Sequence, residues 1–143
     1  MIVVDTNVIA YFHLPSEYNS VAQEAFQLDP QWLAPSLWKS EFRNLLSIQI
    51  RKGHCSLAEA MEKMLEAEEI TTEVNFESDS KQILNLASSS GCTAYDCEFV
   101  AAAKNLGVPL VTMDSQILKA FPEIAISLVG FASPPSEAED PQE

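Results

Sequence analysis

The chain is 143 residues long, 47% hydrophobic, and carries a formal net charge of −13 at pH 7. That length suits one domain with a real core, and that charge argues against gripping nucleic acid through a broad basic surface. Three cysteines (Cys55, Cys92, Cys97) and two isolated histidines (His13, His54) complete neither a disulfide framework nor a zinc site, and no apolar run approaches the roughly 20 residues of a membrane span.

Ile2-Val3-Val4 is a β-branched apolar run that reads as a strand buried on both faces. With a strand starting at Ile2 there is no room for a signal peptide, so a cytoplasmic location is the expectation. The run meets Asp5-Thr6-Asn7, small polar residues that start turns and cap helices. A carboxylate at the C-terminal end of a buried strand is costly without a partner. In open α/β sheets that edge is also where ligands bind.

A short helix from Val8 to Phe12 is stopped at Leu14-Pro15. Ser16 is placed to cap a helix from Glu17 to about Leu28, with Val21, Ala25 and Leu28 on one face. Asp29-Pro30 breaks it, and Trp32-Leu33-Ala34 forms a strand ended by Pro35. Ser36 is expected to cap a longer helix that ends near Lys52, with Gly53 as its stop. Leu37, Leu45 and Ile48 stand at i−4, i+4 and i+7 from Glu41, which sets this carboxylate on the apolar, inward stripe. The competing reading is a glutamate at the edge of the stripe, its head in water.

Ser56 and Glu59 make a capping box for a helix from Leu57 to Glu69, whose other acids form a solvated face. Ile70 to Val74 alternates as a strand does, and Ser78 or Asp79 starts the next helix, with Ile83, Leu84 and Ala87 inward. Ser88-Ser89-Ser90-Gly91 ends it. Thr93 caps the following helix with Asp96 three residues on, where a carboxylate is stabilised by the helix N-terminus and needs no metal. Phe99, Val100 and Ala103 nonetheless continue an apolar face that includes Asp96. Gly107 closes this helix, and Val108 to Val111 is a second buried strand. Thr112-Met113-Asp114-Ser115 repeats the logic of the N-terminus, with Asp114 either a cap of the helix Ser115 to Phe121 or a ligand. A last strand, Ile124 to Phe131, precedes an acidic tail over residues 133–143 that reads as disordered, leaving 1–132 as the folded domain.

Alternating strands and helices give the α/β class: a three-layer α/β/α sandwich around a parallel sheet of four to five strands. Asp5-x-Asn7 after the first strand, Glu41 in an early helix, Asp96 opening a late helix and Thr112-x-Asp114 after a late strand together resemble the PIN-domain nucleases. The resemblance is strongest to the small VapC-type toxins, and it spans roughly residues 1–131. It implies strand order 3-2-1-4-5, which sets Asp5 and Asp114 on neighbouring strands at the switch point of the sheet. Asp5, Glu41, Asp96 and Asp114 would be the catalytic acids, with Asp5, Asp96 and Asp114 on the metal. Asn7 would hold Asp5, and Thr6, Thr112 and Ser115 would add hydrogen bonds.

Four carboxylates in one pocket repel unless a cation is present, and oxygen-only ligands suit Mg²⁺ or Mn²⁺. The resemblance further implies endonucleolytic cleavage of RNA, a small antitoxin partner and a homodimer. Lys39 and Arg43, with Arg51, Lys52, Lys104 and Lys119, are the cations available for phosphates, although ordinary solvation is the simpler reading of each. Trp38, Tyr11 and Phe12 are candidates for a partner surface. Two other functions fit parts of the pattern. A phosphatase of haloacid-dehalogenase type needs a second Asp where this chain has Asn7 and a lysine that has no match here. A PIN-like module that only binds RNA or protein would have no need of the intact set of four acids.

Overall fold

A computed structural model describes residues 1–74 and 79–132; Ser78 and the acidic tail of 133–143 lie outside these residues. The central strand is β1 (Ile2–Val4), whose three side chains are fully buried, as a strand covered on both faces must be. On one side it pairs with β2 (Trp32–Pro35), and β2 with β3 (Thr71–Val74). On the other it pairs with β4 (Leu110–Thr112), and β4 with β5 (Ala125–Ser127). All four pairings are parallel, and the order is 3-2-1-4-5. Val3 stands opposite both Leu33 and Leu110, so the C-terminal ends of β1 and β4 open on the same edge.

The crossovers are helical. α1 (Thr6–His13), α2 (Asn19–Leu28), α3 (Leu37–Arg51) and α4 (Leu57–Ile70) form one packed group around α1. α5 (Ser80–Ser90) packs on α6 (Ala94–Leu106), which in turn lies along β1, β2 and β4. The short α7 (Ser115–Ala120) and α8 (Leu128–Ala132) flank β5. Trp32, Trp38, Phe42 and Phe99 are the largest fully buried side chains. Phe12, Phe26 and Trp32 meet with ring centroids 5.1–5.4 Å apart, tilted or edge-on as aromatic quadrupoles prefer.

Several local expectations change. Ser36 precedes α3 but its side chain makes no cap bond. The Ser16 hydroxyl accepts from the Tyr18 amide, while α2 begins later, at Asn19. Leu28 and Leu84 are about 60% exposed, because Ala22 and Ala25 in α2 and Ile83 in α5 take the inward positions. Ile70 is the last residue of α4 rather than the first of a strand. The run from Ile124 to Phe131 divides into β5 and α8, where the Ser127 hydroxyl accepts from the Gly130 amide and turns the chain into a helix. Trp38 is wholly buried against Phe42, which removes it as a partner surface.

The other caps are as read. Ser56 and Glu59 bond reciprocally, Asp79 caps α5, and Gly91 and Gly107 close α5 and α6 with left-handed backbone. Cys92 and Cys97 are buried free thiols, while Cys55 is half-buried. His13 is packed against Phe12 and Phe42, and His54 is exposed.

Candidate active site

Asp5 ends β1 and caps α1. Its Oδ1 accepts from the Thr6 amide at 2.8 Å and its Oδ2 accepts from the Thr112 hydroxyl at 2.7 Å. The Thr112 oxygen also accepts from the Asp114 amide at 3.0 Å, so the hydroxyl clamps the end of β4 to the end of β1. Asp114 in turn caps α7, its Oδ1 accepting from Gln116 and Ile117. Cap and site member are therefore compatible: one oxygen serves the helix and the carboxylate still faces the pocket. Asp96 stands in the first turn of α6, where the cap is Thr93: the Asp96 amide donates to the Thr93 hydroxyl at 3.0 Å.

Glu41 approaches from α3. The fully buried stripe of that helix is Trp38, Phe42 and Leu46 at i, i+4 spacing. Leu37, Glu41, Leu45 and Ile48 form the neighbouring, half-buried stripe. The edge position weighed for Glu41 is thus the observed one, but the edge borders a pocket instead of open solvent. The Thr6 hydroxyl donates to Glu41 Oε1 at 2.6 Å, which ties α1 to α3.

Asp5, Glu41, Asp96 and Asp114 all line this pocket, whose volume is about 460 Å³. Asn7 lines it too, although its side-chain oxygen accepts from the Met113 amide, at 3.4 Å, so it braces the β4–α7 turn where a bond to Asp5 was expected. Ser115 begins α7 as an exposed residue and is not among the lining side chains. Ser40, Asn44 and Tyr95 also line the pocket and went unread in the sequence. The signal for the first two was present, since Leu37, Ser40, Glu41, Asn44 and Leu45 follow the i, i+3, i+4 spacing of one helix face.

The electrostatics follow from burial without neutralisation. Asp5 is 7% exposed, and burial lifts its carboxyl to about 6, with the Thr112 and Thr6 bonds opposing and Asp96 and Glu41 adding to the rise. Burial likewise raises Glu41 against its Thr6 bond, with Asp96 and Glu98 adding repulsion. Asp96 is raised by burial first, then opposed by Thr93 and pushed further by Asp114. Among the described residues no basic side chain forms an ion pair with any of the four. Lys39 is paired with Glu73 at 3.4 Å, and Arg43 lines the groove between α3 and α4.

Oxygen-only donors around one uncompensated acidic pocket fit a hard divalent cation in kind. As the side chains stand, however, no three His, Cys, Asp or Glu groups among the described residues converge closely enough to hold one ion. Asp5 and Asp114 direct oxygens to backbone amides, and Glu41 and Asp5 to threonine hydroxyls, in place of a shared centre.

Known proteins share both sequence and fold with this chain. Ribonuclease VapC3 of Pyrobaculum aerophilum is 31% identical over 132 residues, covering 86% of this chain and 96% of that protein. The crystal structure of PAE2754, also from Pyrobaculum aerophilum, superposes with a TM-score of 0.75 at 19% identity, over 92% of each chain. A toxin–antitoxin complex from Klebsiella pneumoniae contains a chain that matches at a TM-score of 0.63 and 17% identity, over 90% of this chain and 98% of that one. The two structures speak for the fold alone. The PIN domain family model matches residues 2–124, a span that takes in all four pocket acids and every strand but the last; by that match, with the 31% identity beside it, this chain belongs to the PIN domain family.

Proposed function

We propose that this chain is a metal-dependent endoribonuclease and the toxin of a toxin–antitoxin pair. The observation that carries the reading is the meeting of Asp5, Glu41, Asp96 and Asp114 around one pocket at the C-terminal edge of β1 and β4, with no cation among the described residues to neutralise them. Its relation to a protein named Ribonuclease VapC3 supports the same activity.

Asp5, Asp96 and Asp114 would hold Mg²⁺ or Mn²⁺, with Glu41 facing them across the pocket. A divalent ion there supplies acidification of water and neutralisation of charge developing on the phosphodiester. The protein's own part is positional. Thr112 fixes the Asp5 carboxylate and leaves it an acceptor, Thr6 orients Glu41, and Asn7 holds the turn that presents Asp114. Asn44 and Ser40 offer neutral donors to phosphate oxygens where Lys39 and Arg43 do not line the pocket. The nuclease domain is assigned to residues 1–132, acting in the cytoplasm as a homodimer held by a small antitoxin.

The test is cleavage of a mixed RNA pool by purified protein with Mn²⁺, with Mg²⁺ and with chelator. An Asp96→Asn protein purified in the same way controls for contaminating ribonuclease. Metal-dependent cleavage that vanishes in the variant is the expected result; equal cleavage by both proteins would overturn the assignment.

A further inference from the structure

Beside the acidic pocket lies a second, larger concavity of about 540 Å³, lined by Tyr11, Leu14, Leu45, Gln49, His54 and Cys55. Leu45 lines both, so the two concavities adjoin at that side chain. We infer that this apolar groove is a nucleobase subsite, which takes an unpaired base of the RNA adjoining the bond to be cut, against the Tyr11 ring and with Gln49 and His54 at its edge. It rests on the ribonuclease reading for its position, and its chemistry is carried by the groove itself.

The groove is built as a base site is built: apolar walls, one aromatic face and a few convergent polar groups. Tyr11 is fixed from two directions. Its ring sits 5.0 Å from that of Tyr18, and the Asn19 side-chain amide donates at 3.0 Å to the carbonyls of both Tyr11 and Phe12. Gln49 and His54 form a pair across the C-terminal end of α3, 2.9 Å from Nδ1 to Oε1, with the His54 amide also donating to the Gln49 carbonyl at 2.9 Å. The pair sets the imidazole of His54 and the side-chain amide of Gln49 side by side, and an amide that carries both donor and acceptor next to a ring nitrogen is suited to the edge of a base.

Charge decides between a base and a phosphate as the anchor. A chain of net charge −13 releases few counterions on binding RNA, and no lysine or arginine lines either concavity. Stacking on an aromatic ring carries no such requirement, but it is open only to bases that are out of a duplex.

The experiment is fluorescence anisotropy of a labelled ten-nucleotide oligouridylate on the whole chain, with Mg²⁺ and separately with chelator, its integrity followed on a gel. Tyr11→Leu, which keeps the bulk but loses the ring, is expected to weaken binding about ten-fold, the loss of one stacked base. Tyr11→Phe is expected to bind as the parent does. The Gln49→Ala, His54→Ala double variant, changed on the outer rim of α3, is expected to weaken binding several-fold and keeps the test open should Tyr11→Leu fail to fold. Binding by the parent is expected to fall only shallowly as salt is raised. The inference is overturned if the oligonucleotide does not bind, or if both variants bind it as the parent does. It is equally overturned if the variants instead lose a co-purifying polypeptide, which would give the groove to a protein partner. RNA cleavage by the parent with undiminished binding in the variants would sink the base site and leave the nuclease. Tyr11-dependent binding without any cleavage would do the reverse.

Discussion

Asp5→Asn is expected to make the protein more stable at neutral pH while removing its activity. The folded carboxyl titrates at about 6 against an ordinary value of 3.8, because it is buried beside Asp96 and Glu41. A raised folded pKa favours the protonated form in the native state. The contribution is fully present below 3.8 and is lost as pH rises through about 6, and the size of the loss is about 3 kcal/mol at about 1.4 kcal/mol per pH unit. An asparagine keeps the Thr6 amide bond through its oxygen, and its amide can donate to the Thr112 hydroxyl. That exchange leaves the Thr112 proton without an acceptor and gives back about 1 kcal/mol. The net expectation is a gain of about 2 kcal/mol at pH 7.5 that is gone near pH ~4.5 and turns into a loss of about 1 kcal/mol at the lowest pH, where only the lost Thr112 acceptor remains.

His13 works in the opposite sense and hides the effect in the parent. Burial against Phe12 and Phe42 lowers its imidazole from 6.5 to about 4, so its contribution is present above 6.5 and is lost as pH falls toward 4. The two slopes oppose each other over nearly the same window. Urea unfolding in chelator from pH 4 to pH 8 should therefore give a shallow profile for the parent and a profile rising with pH for Asp5→Asn. Adding Mn²⁺ at pH 7.5 should stabilise the parent and not the variant. An Asp5→Asn protein less stable than the parent at pH 7.5, or a difference independent of pH, would refute the account of an uncompensated acidic pocket.

Other perturbations separate site from scaffold. Thr112→Val removes the hydroxyl that lowers the Asp5 pKa, so the acid limb of the cleavage rate should move to higher pH, read from a pH–rate profile at saturating metal. Thr6→Val deprives Glu41 of its donor and should reduce cleavage by about 10- to 100-fold, the usual cost of losing a group that orients a metal-site acid, with a melting temperature close to the parent's. Ser56→Ala breaks the reciprocal cap of α4 and should cost about 1 kcal/mol in urea unfolding with the specific activity of the folded protein unchanged. Phe42→Ala opens the core between α1 and α3 and should cost about 3–5 kcal/mol, measured in the same way.

Several features were legible in local chemistry along the chain. Ile2-Val3-Val4 reads as a strand covered on both faces, and Asp5-Thr6, Ser56-x-x-Glu59, Thr93-x-x-Asp96 and Asp114 announce helix starts whose amides need acceptors. Glycines at 91 and 107 mark the left-handed stops. From the order of the acids came the family resemblance, and with it the strand order that brings Asp5 beside Asp114.

The tertiary structure alone decided which of two adjacent stripes a helix buries. In α3 the stripe of Trp38 and Phe42 wins because those side chains bury more apolar surface, and this turns Glu41 to the half-buried side that borders the pocket. It decided too that Leu28 and Leu84 stay outside, where alanines and Ile83 already fill the close contacts, and that Lys39 spends its charge on Glu73 of a strand far away in sequence. Hydrogen bonds such as Thr112 to Asp5, 107 residues apart, carry no local signature. A pocket is a property of surfaces that meet only once the sheet has closed: Ser40 and Asn44 share the helix face of Glu41, but nothing in the spacing could bring Tyr95 to the same rim or set a second concavity beside Leu45.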